Sequence, residues 1–259
     1  MIGADKKIVQ AAELIKHAKH AVALTGAGVS TRSGIPDFRG TGTGLWTKVD
    51  PMVVASIWGF IEHPQGFYDW IKPLSKQMVN AKPNPAHYAL AELEVLGRLR
   101  ALITQNIDNL HQRAGSQRVL EVHGHMREAT CIRCYHLTDA KPFIEKFIAD
   151  GTIPTCPVCG GVLKPNVTLF GETPPVRVLY EAQQESEKCD VMLVAGSSLE
   201  VIPVADLPVV AQRHGAQVII VNNAATPMDK QATVVLREDV VVALPKIVER
   251  VKQNNHTHL

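Results

Sequence analysis

No stretch of the chain approaches the roughly 18 consecutive apolar residues that a membrane span needs. The first residues, MIGADKKIVQ, lack the apolar core of a signal peptide. A strong excess of one charge is missing too. The formal net charge is +2, which gives no reason to expect nucleic acid or a membrane surface as the main partner. Eleven histidines add charge only below neutral pH, and they are scattered. There is no internal repeat, no low-complexity tract, and no Gly-Lys-Ser/Thr of a Walker loop. The absences point to a soluble, intracellular, cytoplasmic protein with no direct nucleic-acid or membrane partner.

What is present fits that outline. A chain of 259 residues, 46% hydrophobic and 20% charged, has the composition of a soluble globular protein. It is long enough for a sizeable core, as one large domain or as a domain carrying insertions. Five cysteines are an odd number, and four of them form two Cys-x-x-Cys pairs. In a cytosolic chain that argues for metal before disulfides. Cys131 and Cys134, then 21 residues, then Cys156 and Cys159 have the spacing of a zinc ribbon. Four thiolates in two tight turns favour a closed tetrahedral zinc, which leaves no open position for substrate. The metal is therefore expected to be structural, holding a lobe with little apolar core. Cys189 opens the apolar run CDVMLVAG and reads as a small buried residue.

Six of the eighteen glycines fall between Thr25 and Trp46, in TGAGVSTRSGIPDFRGTGTGLW. The stretch follows the apolar run Ala21–Leu24, a short buried strand. A strand running into Gly-x-Gly brings bare backbone N–H groups against a phosphate. A mobile surface loop is the plainer alternative, but Ile35, Pro36, Phe38, Leu45 and Trp46 are unusual in a linker. The ordinary dinucleotide fingerprint fails, because its third glycine position is Thr31. No acid ends a second strand about twenty residues on. Hydride transfer is poorly supported.

In order, the chain reads as a helix over 5–20 capped by Asp5, the strand and glycine loop, and an aromatic helical segment over 46–83. The aromatics of that segment, Trp58, Phe60, Phe67, Tyr68 and Trp70, are expected mostly to form a small core. Asn84-Pro85 opens the next helix and Gly97 ends it. Strands follow at Leu99–Thr104 and Val119–Val122, and the cysteine region over 126–164 breaks the alternation. Strand Val191–Ala195, a helix around Val204–Arg213, strands Val218–Val221 and Thr233–Leu236, and a helix from Asp239 complete it. The expected fold is α/β: a doubly wound parallel sheet, with a second, smaller lobe made of a helical insertion and a zinc-ribbon insertion. Residues 1–45, 84–125 and 165–259 form the larger domain, and 46–83 with 126–164 form the smaller.

In such a sheet ligands bind beyond the carboxyl ends of the strands. Polar motifs follow Leu24, Ile103, Val122, Ala195 and Val221, all at that edge. Gln105-Asn-Ile-Asp108 can hold a ribose or a carboxamide through several hydrogen bonds. His123, with an ordinary pKa of about 6.5, suits proton removal at neutral pH. It also suits the plainer role of a histidine held by a backbone carbonyl. Gly196-Ser197-Ser198 and Asn222-Asn223 are further phosphate or ribose sites, though Ser and Asn are also common turn formers.

Together these motifs resemble the sirtuin family of NAD-dependent protein deacylases, in a form of prokaryotic size. The matching blocks are GAGVSTRSGIPDFRG with GLW, TQNIDNLH with AG, HG at 123–124, the cysteine pairs, PNVTLFGE, GSSLEVIP and VNN. They follow the family's order from about residue 22 to 223. The resemblance implies a Rossmann-like NAD-binding domain, a structural zinc, and NAD consumed as co-substrate. The acyl-lysine oxygen would displace nicotinamide to give an alkylamidate. His123 would then activate a ribose hydroxyl, and the products would be lysine, nicotinamide and O-acyl-ADP-ribose. By position, Gly26, Ala27 and Gly28 would take the phosphates, with Ser30 beside them. Asp37, Phe38 and Arg39 would close over the ribose, with Trp46 at the end of that segment. Gln105 would meet the ribose, and Asn106, Ile107 and Asp108 the nicotinamide, Asn106 and Asp108 assisting His123. Gly196, Ser197 and Ser198 would contact phosphate, and Asn222 and Asn223 the adenine side. Val167 and Thr168 would lie beside the acyl-lysine. The backbones of Phe170, Gly171 and Glu172 and of Leu199, Glu200 and Val201 would take the substrate peptide between them as an added strand.

Departures bear on the acyl group. Members that prefer succinyl or malonyl groups carry a Tyr-x-x-Arg pair, and the corresponding residues are Tyr68 and Ile71. Without the cation an acidic acyl chain loses its partner, so acetyl or a longer apolar acyl is favoured. Thr168 stands where valine is usual, and Ser197 keeps the hydroxyl of the commoner threonine. Two other readings stay open: mono-ADP-ribosyl transfer in the same pocket, and a zinc module that senses NAD without turnover.

Overall fold

The computed structural model describes residues 2–37, 45 and 49–253. Helix α1 (Ile2–His17) leads into strand β1 (Ala21–Thr25), and two short 3-10 turns, Ala27–Val29 and Thr31–Ser33, carry the start of the glycine loop. The aromatic segment is α2 (Pro51–Val54), α3 (Ile57–Glu62) and α4 (Pro64–Asn80), followed by α5 (Pro85–Val95), β2 (Ala101–Thr104), α6 (Leu110–Arg113) and β3 (Val119–Glu121). The cysteine region holds β4 (Gly124–Cys131), β5 (Leu137–Asp139), α7 (Lys141–Asp150) and β6 (Leu163–Val167). Then come α8 (Val176–Lys188), β7 (Val191–Ala195), a 3-10 turn at Val204–Asp206, α9 (Leu207–Arg213), β8 (Gln217–Val221), β9 (Val234–Leu236) and α10 (Val240–Lys252).

The central strands AVALT, ALIT and VMLVA are buried along their whole length. Strands that are apolar on both faces have to be covered on both faces, which a parallel sheet with flanking helices provides. Among the described residues the sheet has six strands in the order β3-β2-β1-β7-β8-β9, all parallel. One face carries the core built from α1, α5 and α10, including Ile8, Ile15, Leu90, Leu93, Leu244 and Ile247. The other carries α8 and α9 through Ala182, Leu207 and Ala211. A second sheet, β5-β4-β6, is antiparallel.

The aromatic segment packs on that second sheet. Phe60, Phe67, Tyr68, Ile71 and Leu74 share a core with Phe147 of α7 and with Val167. The Tyr68 and Phe147 rings meet edge to face at 5.1 Å. The Tyr68 hydroxyl donates to the Leu163 carbonyl, and burial pushes its pKa well above the usual phenol value. The expected boundaries at 125/126 and 164/165 fall inside β4 and β6, the strands that join the cysteine region to the main sheet.

Several local expectations need correction. Asp5 lies inside α1 and does not cap it. Trp58 is not part of the small core; its side chain faces outward. Helices α7 and α8 were not legible. The buried face of α8 is Ala182, Glu185 and Ser186, with half-buried Val178 and Leu179 before them, so its apolar stripe covers only the first half of the helix. Glu185 is tolerated there because His20 Nε2 lies at 2.7 Å and Arg118 Nη2 at 2.9 Å. Burial pushes the Glu185 carboxyl up, but these two partners outweigh it and hold it below its usual range. No helix among the described residues is long and apolar enough to cross a membrane.

Candidate active site

The parallel register places the site. Thr25 pairs with Thr104 and Ala195, Thr104 with Glu121, and Ala195 with Val221. The last residues of five strands thus form one row, and the polar motifs leave the sheet together. Four intervals of roughly 4.8 Å separate β3 from β8, so the edge spans about 19 Å, long enough for an extended dinucleotide. The chain order reverses between β1 and β7, and a crevice opens at such a switch point.

Two small-residue loops meet there. The Gly26 amide donates to the Ala195 carbonyl at 3.3 Å, and the Gly28 amide to the Gly196 carbonyl at 2.9 Å. A Cβ on Gly26 would lie 2.9 Å from the Gly196 oxygen, and one on Gly28 2.8 Å from it. Glycine is required at both positions by this close approach of two backbones. Ala27 sits between them, half-buried, at the start of the first 3-10 turn. Ser197 is buried and its hydroxyl accepts from Gln105 Nε2 at 2.9 Å, so the loops after β2 and β7 are tied together.

Behind Gln105 lies a buried polar network with Ser30 at its centre. Asn106 Nδ2 donates to the Gly26 carbonyl at 3.2 Å and to Ser30 Oγ at 3.1 Å. Ser30 Oγ donates to Asp108 Oδ2 at 2.6 Å, and the Leu110 amide donates to Asp108 Oδ1 at 2.9 Å. Burial pushes the Asp108 carboxyl above its ordinary range, and these two hydrogen bonds offset part of that. Ile107, between them, packs half-buried against the core beneath the aromatic segment. The structure thus brings Ser30, Asn106 and Asp108 together over 78 residues of chain.

His123 occupies the turn between β3 and β4. Its Nδ1 lies 3.2 Å from the Gln105 carbonyl. A carbonyl only accepts, so Nδ1 carries the proton and Nε2 holds the lone pair in the neutral ring. The two readings of His123 are therefore compatible: the carbonyl that satisfies the ring also selects the tautomer with a basic Nε2. The His123 carbonyl accepts from the Thr168 amide at 2.9 Å, joining the histidine to the segment that follows β6.

In that segment the Phe170 amide donates to the Ala55 carbonyl, and the Phe170 carbonyl accepts from the Ile57 amide, both at 2.9 Å. Phe170 is thus zipped to the connection between α2 and α3. The Gly171 amide and carbonyl have no hydrogen-bond partner among the described residues. Glu172 turns back, accepting from the Leu169 amide at 2.8 Å and from Lys164 Nζ at 3.0 Å. Leu199 is buried with a φ of 55°, and its amide donates to Ser197 Oγ at 3.3 Å. Glu200 is exposed, and Val201 accepts the Ala205 amide at 2.8 Å. Ser198 is half-buried beside them. At the far end Asn222 Nδ2 donates to the Ala224 carbonyl at 2.9 Å, and Asn223 is exposed. The Asp37 carbonyl accepts from the Leu45 amide at 3.1 Å. Phe38, Arg39 and Trp46 lie outside the described residues.

The four cysteines converge as their spacing implies. Cys131 and Cys159 sulfurs lie 3.5 Å apart, Cys134 and Cys156 sulfurs 3.6 Å apart, and all four within 4.8 Å of one another. A tetrahedral ion with Zn–S bonds of about 2.3 Å needs sulfurs about 3.8 Å apart, which this set matches. Around them lie only Ala129, Ala140 and Leu163 as buried apolar residues.

Sequence reasoning assigned nothing to His87 or His111. Their rings lie 4.9 Å apart behind the Ser30 network. His87 Nδ1 accepts the Asn84 amide in a capping box, and His87 Nε2 reaches Ser30 Oγ at 3.4 Å. His111 Nε2 lies 2.9 Å from Thr25 Oγ1. Burial lowers the His87 pKa to about 4 and, together with the neighbouring His87, holds His111 well below its ordinary value, so both are neutral supports. The Asn-Pro-x-His spacing of the capping box was the available signal for His87.

A model of the Sir2 family matches residues 26–203. The NAD-dependent protein deacylase 2 of Archaeoglobus fulgidus is 50% identical over 250 residues, 96% of this chain and 98% of that protein. A structure described as the basis for the mechanism and regulation of Sir2 enzymes superposes with a TM-score of 0.91 at 49% identity, covering 96% of this chain and 98% of that one. A Sir2 histidine-to-alanine variant bound to a deacetylated p53 peptide and 3′-O-acetyl ADP-ribose superposes at 0.87 with 42% identity, covering 93% and 96%.

Proposed function

The chain belongs to the Sir2 family, and from that premise we infer an NAD-dependent protein deacylase whose working residues are those gathered at the sheet edge. It moves the acyl group of an acylated lysine to the ADP-ribose part of NAD and releases nicotinamide. The observation that carries the assignment of residues is the hydrogen bond from His123 Nδ1 to the Gln105 carbonyl. It makes Nε2 the basic nitrogen of the neutral ring and holds that ring against the loop that carries Asn106 and Asp108.

In the reaction, the acyl-lysine oxygen bonds to the anomeric carbon of the ribose as the bond to nicotinamide breaks, its electron pair leaving with nicotinamide. His123 takes the proton of a ribose hydroxyl, which attacks the activated acyl carbon. Addition of water then releases the lysine amine and O-acyl-ADP-ribose. Gly26 to Gly28 and Gly196 to Ser197 offer backbone and hydroxyl groups to the phosphates. Asn106 and Asp108, fixed by Ser30, present an amide and a carboxyl to the carboxamide of nicotinamide. Gln105 is held by Ser197 toward the ribose, and Asn222 and Asn223 serve the adenine end.

The substrate is an acyl-lysine in an extended peptide that pairs with the open main chain at Gly171 and with the Leu199–Val201 segment. Ile71 favours acetyl or a longer apolar acyl, because it is buried among apolar side chains where a succinyl carboxylate would lack a cation. Four metal-ligating thiolates and a free Cys189 suit a reducing, cytoplasmic setting.

Purified protein given NAD and an acetyl-lysine peptide is expected to release nicotinamide in equal amount to deacetylated peptide, with O-acetyl-ADP-ribose as the third product. Nicotinamide release without peptide, with label transferred to protein, would establish ADP-ribosyl transfer instead. No release at all would leave the sensor reading. Gly28→Ala would push a methyl into the Gly196 carbonyl. It is expected to weaken NAD binding at least ~10-fold by titration and to lower stability by about 1–3 kcal/mol, as overpacking does.

A further inference from the structure

Trp58 is the second residue of α3, and 57% of its surface is open to solvent. Phe60, two residues on, is fully buried, so α3 has an inward and an outward face. Trp58 and Ile61, three residues apart, share the outward one. An indole left outside a core calls for something to pack against. That something is Gly171. Three ring carbons of Trp58 lie within 3.0 Å of the place a Cβ on Gly171 would take. Gly171 also has a φ of 85°, so its glycine is required both by backbone conformation and by the indole.

The same residue carries the open main chain. Phe170 spends its amide and carbonyl on Ala55 and Ile57, whereas Gly171 keeps both available among the described residues. An extended chain pairing at Gly171 therefore runs beside the exposed face of Trp58. We propose that Trp58 forms one wall of a subsite that selects an apolar side chain on the substrate peptide, close to the acylated lysine. The proposal rests on the reading of Phe170–Glu172 as the peptide's partner and adds a determinant of sequence preference to it. Main-chain pairing tolerates many sequences, so discrimination has to come from a side chain such as this one.

The neighbouring charge favours an apolar occupant over a basic one. The Glu172 carboxylate is already engaged by Lys164 and by the Leu169 amide. That carboxylate is therefore not available to pair with a lysine or arginine of the peptide next to Gly171. Gly171 lies three residues beyond Thr168, and three residues span at most about 10 Å. The selected side chain is thus roughly one to three positions from the acyl-lysine.

The test is equilibrium binding of acetyl-lysine peptides to the zinc-loaded full chain by calorimetry. Single leucine, phenylalanine, aspartate or glycine replacements are made at each of the three positions on either side. Leucine or phenylalanine is expected to bind at least ~10-fold tighter than glycine or aspartate at one position, the yield of burying one such side chain. Trp58→Ala is expected to bring the leucine peptide down to the glycine peptide, and Trp58→Phe to restore part of the difference. With turnover as a second readout, the change is expected in KM for the leucine peptide and not in kcat. Equal loss for all peptides in Trp58→Ala, or no positional preference in the unsubstituted protein, overturns the proposal. Deacetylation of peptides without any Trp58-dependent preference would leave the deacylase reading standing. Binding with the preference but without turnover would instead overturn the reaction and keep the subsite.

Discussion

His123→Ala is expected to lower kcat for peptide deacetylation by about 10²–10⁴-fold, the usual contribution of a positioned general base, while NAD binding stays within about tenfold of the unsubstituted protein. The asymmetry follows from what the side chain holds. Its Nδ1 binds the Gln105 carbonyl, which makes Nε2 the basic nitrogen that would take the proton of a ribose hydroxyl in the proposed reaction. The fold at this point depends on the main chain, since the His123 carbonyl accepts the Thr168 amide whatever the side chain. Truncation therefore removes a base and leaves the loops after β1, β2 and β7 in place. His123→Asn separates positioning from basicity, because its amide can still donate to the Gln105 carbonyl but cannot take a proton. It is expected to be as inactive as the alanine variant. Stopped-assay rates and calorimetric NAD titration check both. Near-full activity in either variant would remove His123 from the catalytic role.

Cys156→Ser is expected to abolish stoichiometric zinc and to unfold the cysteine region, with deacylation lost alongside. The core around the four sulfurs is Ala129, Ala140, Leu163 and the cysteines with half-buried Phe143 and Ile144 against it, and the region's other apolar contacts, Phe147 among them, are shared with the aromatic segment. So little apolar area of its own cannot order about forty residues, each of which costs roughly 1–2 kcal/mol in backbone entropy. Structural zinc supplies about 10–16 kcal/mol in comparable small sites, so its loss exceeds what that region can absorb. The main sheet has its own two cores and should persist. Hydrogen exchange should then show lost protection in β4, β5 and β6, with protection retained in β1, β2, β7 and β8. Activity follows because β6 ends at Val167 and leads directly into Thr168, and because Tyr68 anchors the aromatic segment on Leu163. A metal-free variant with full protection and activity would refute the structural role.

Much of the fold was legible because its signals are local. Buried parallel strands such as VMLVA declare themselves by unbroken apolar runs, and Asn84-Pro85 and Asp239 declare helix starts by cap chemistry. The two Cys-x-x-Cys turns give a tetrahedral donor set before any fold is known. Helix α8 escaped because its buried face consists of alanine, serine and a carboxylate satisfied only by His20 and Arg118, residues far away in the chain. Trp58 misled for the converse reason: an aromatic in an aromatic-rich segment reads as core, and nothing local says which face of a short helix looks outward.

The site divides in the same way. The residue types of the glycine loop, QNID, His123 and GSSL determined by themselves which donors, acceptors and backbone freedom the chain can bring to a ligand, and their joint order carried the family resemblance. The tertiary structure alone decided how those groups act on one another. Parallel register brings five strand ends into one row, and Ser30 lies against Asp108 although 78 residues separate them. It also decided that the Gln105 carbonyl sets the tautomer of His123, and that the main chain is closed at Phe170 and open at Gly171 under Trp58. Hydrogen-bond direction and steric contact between distant segments depend on three-dimensional placement, which local pattern does not encode.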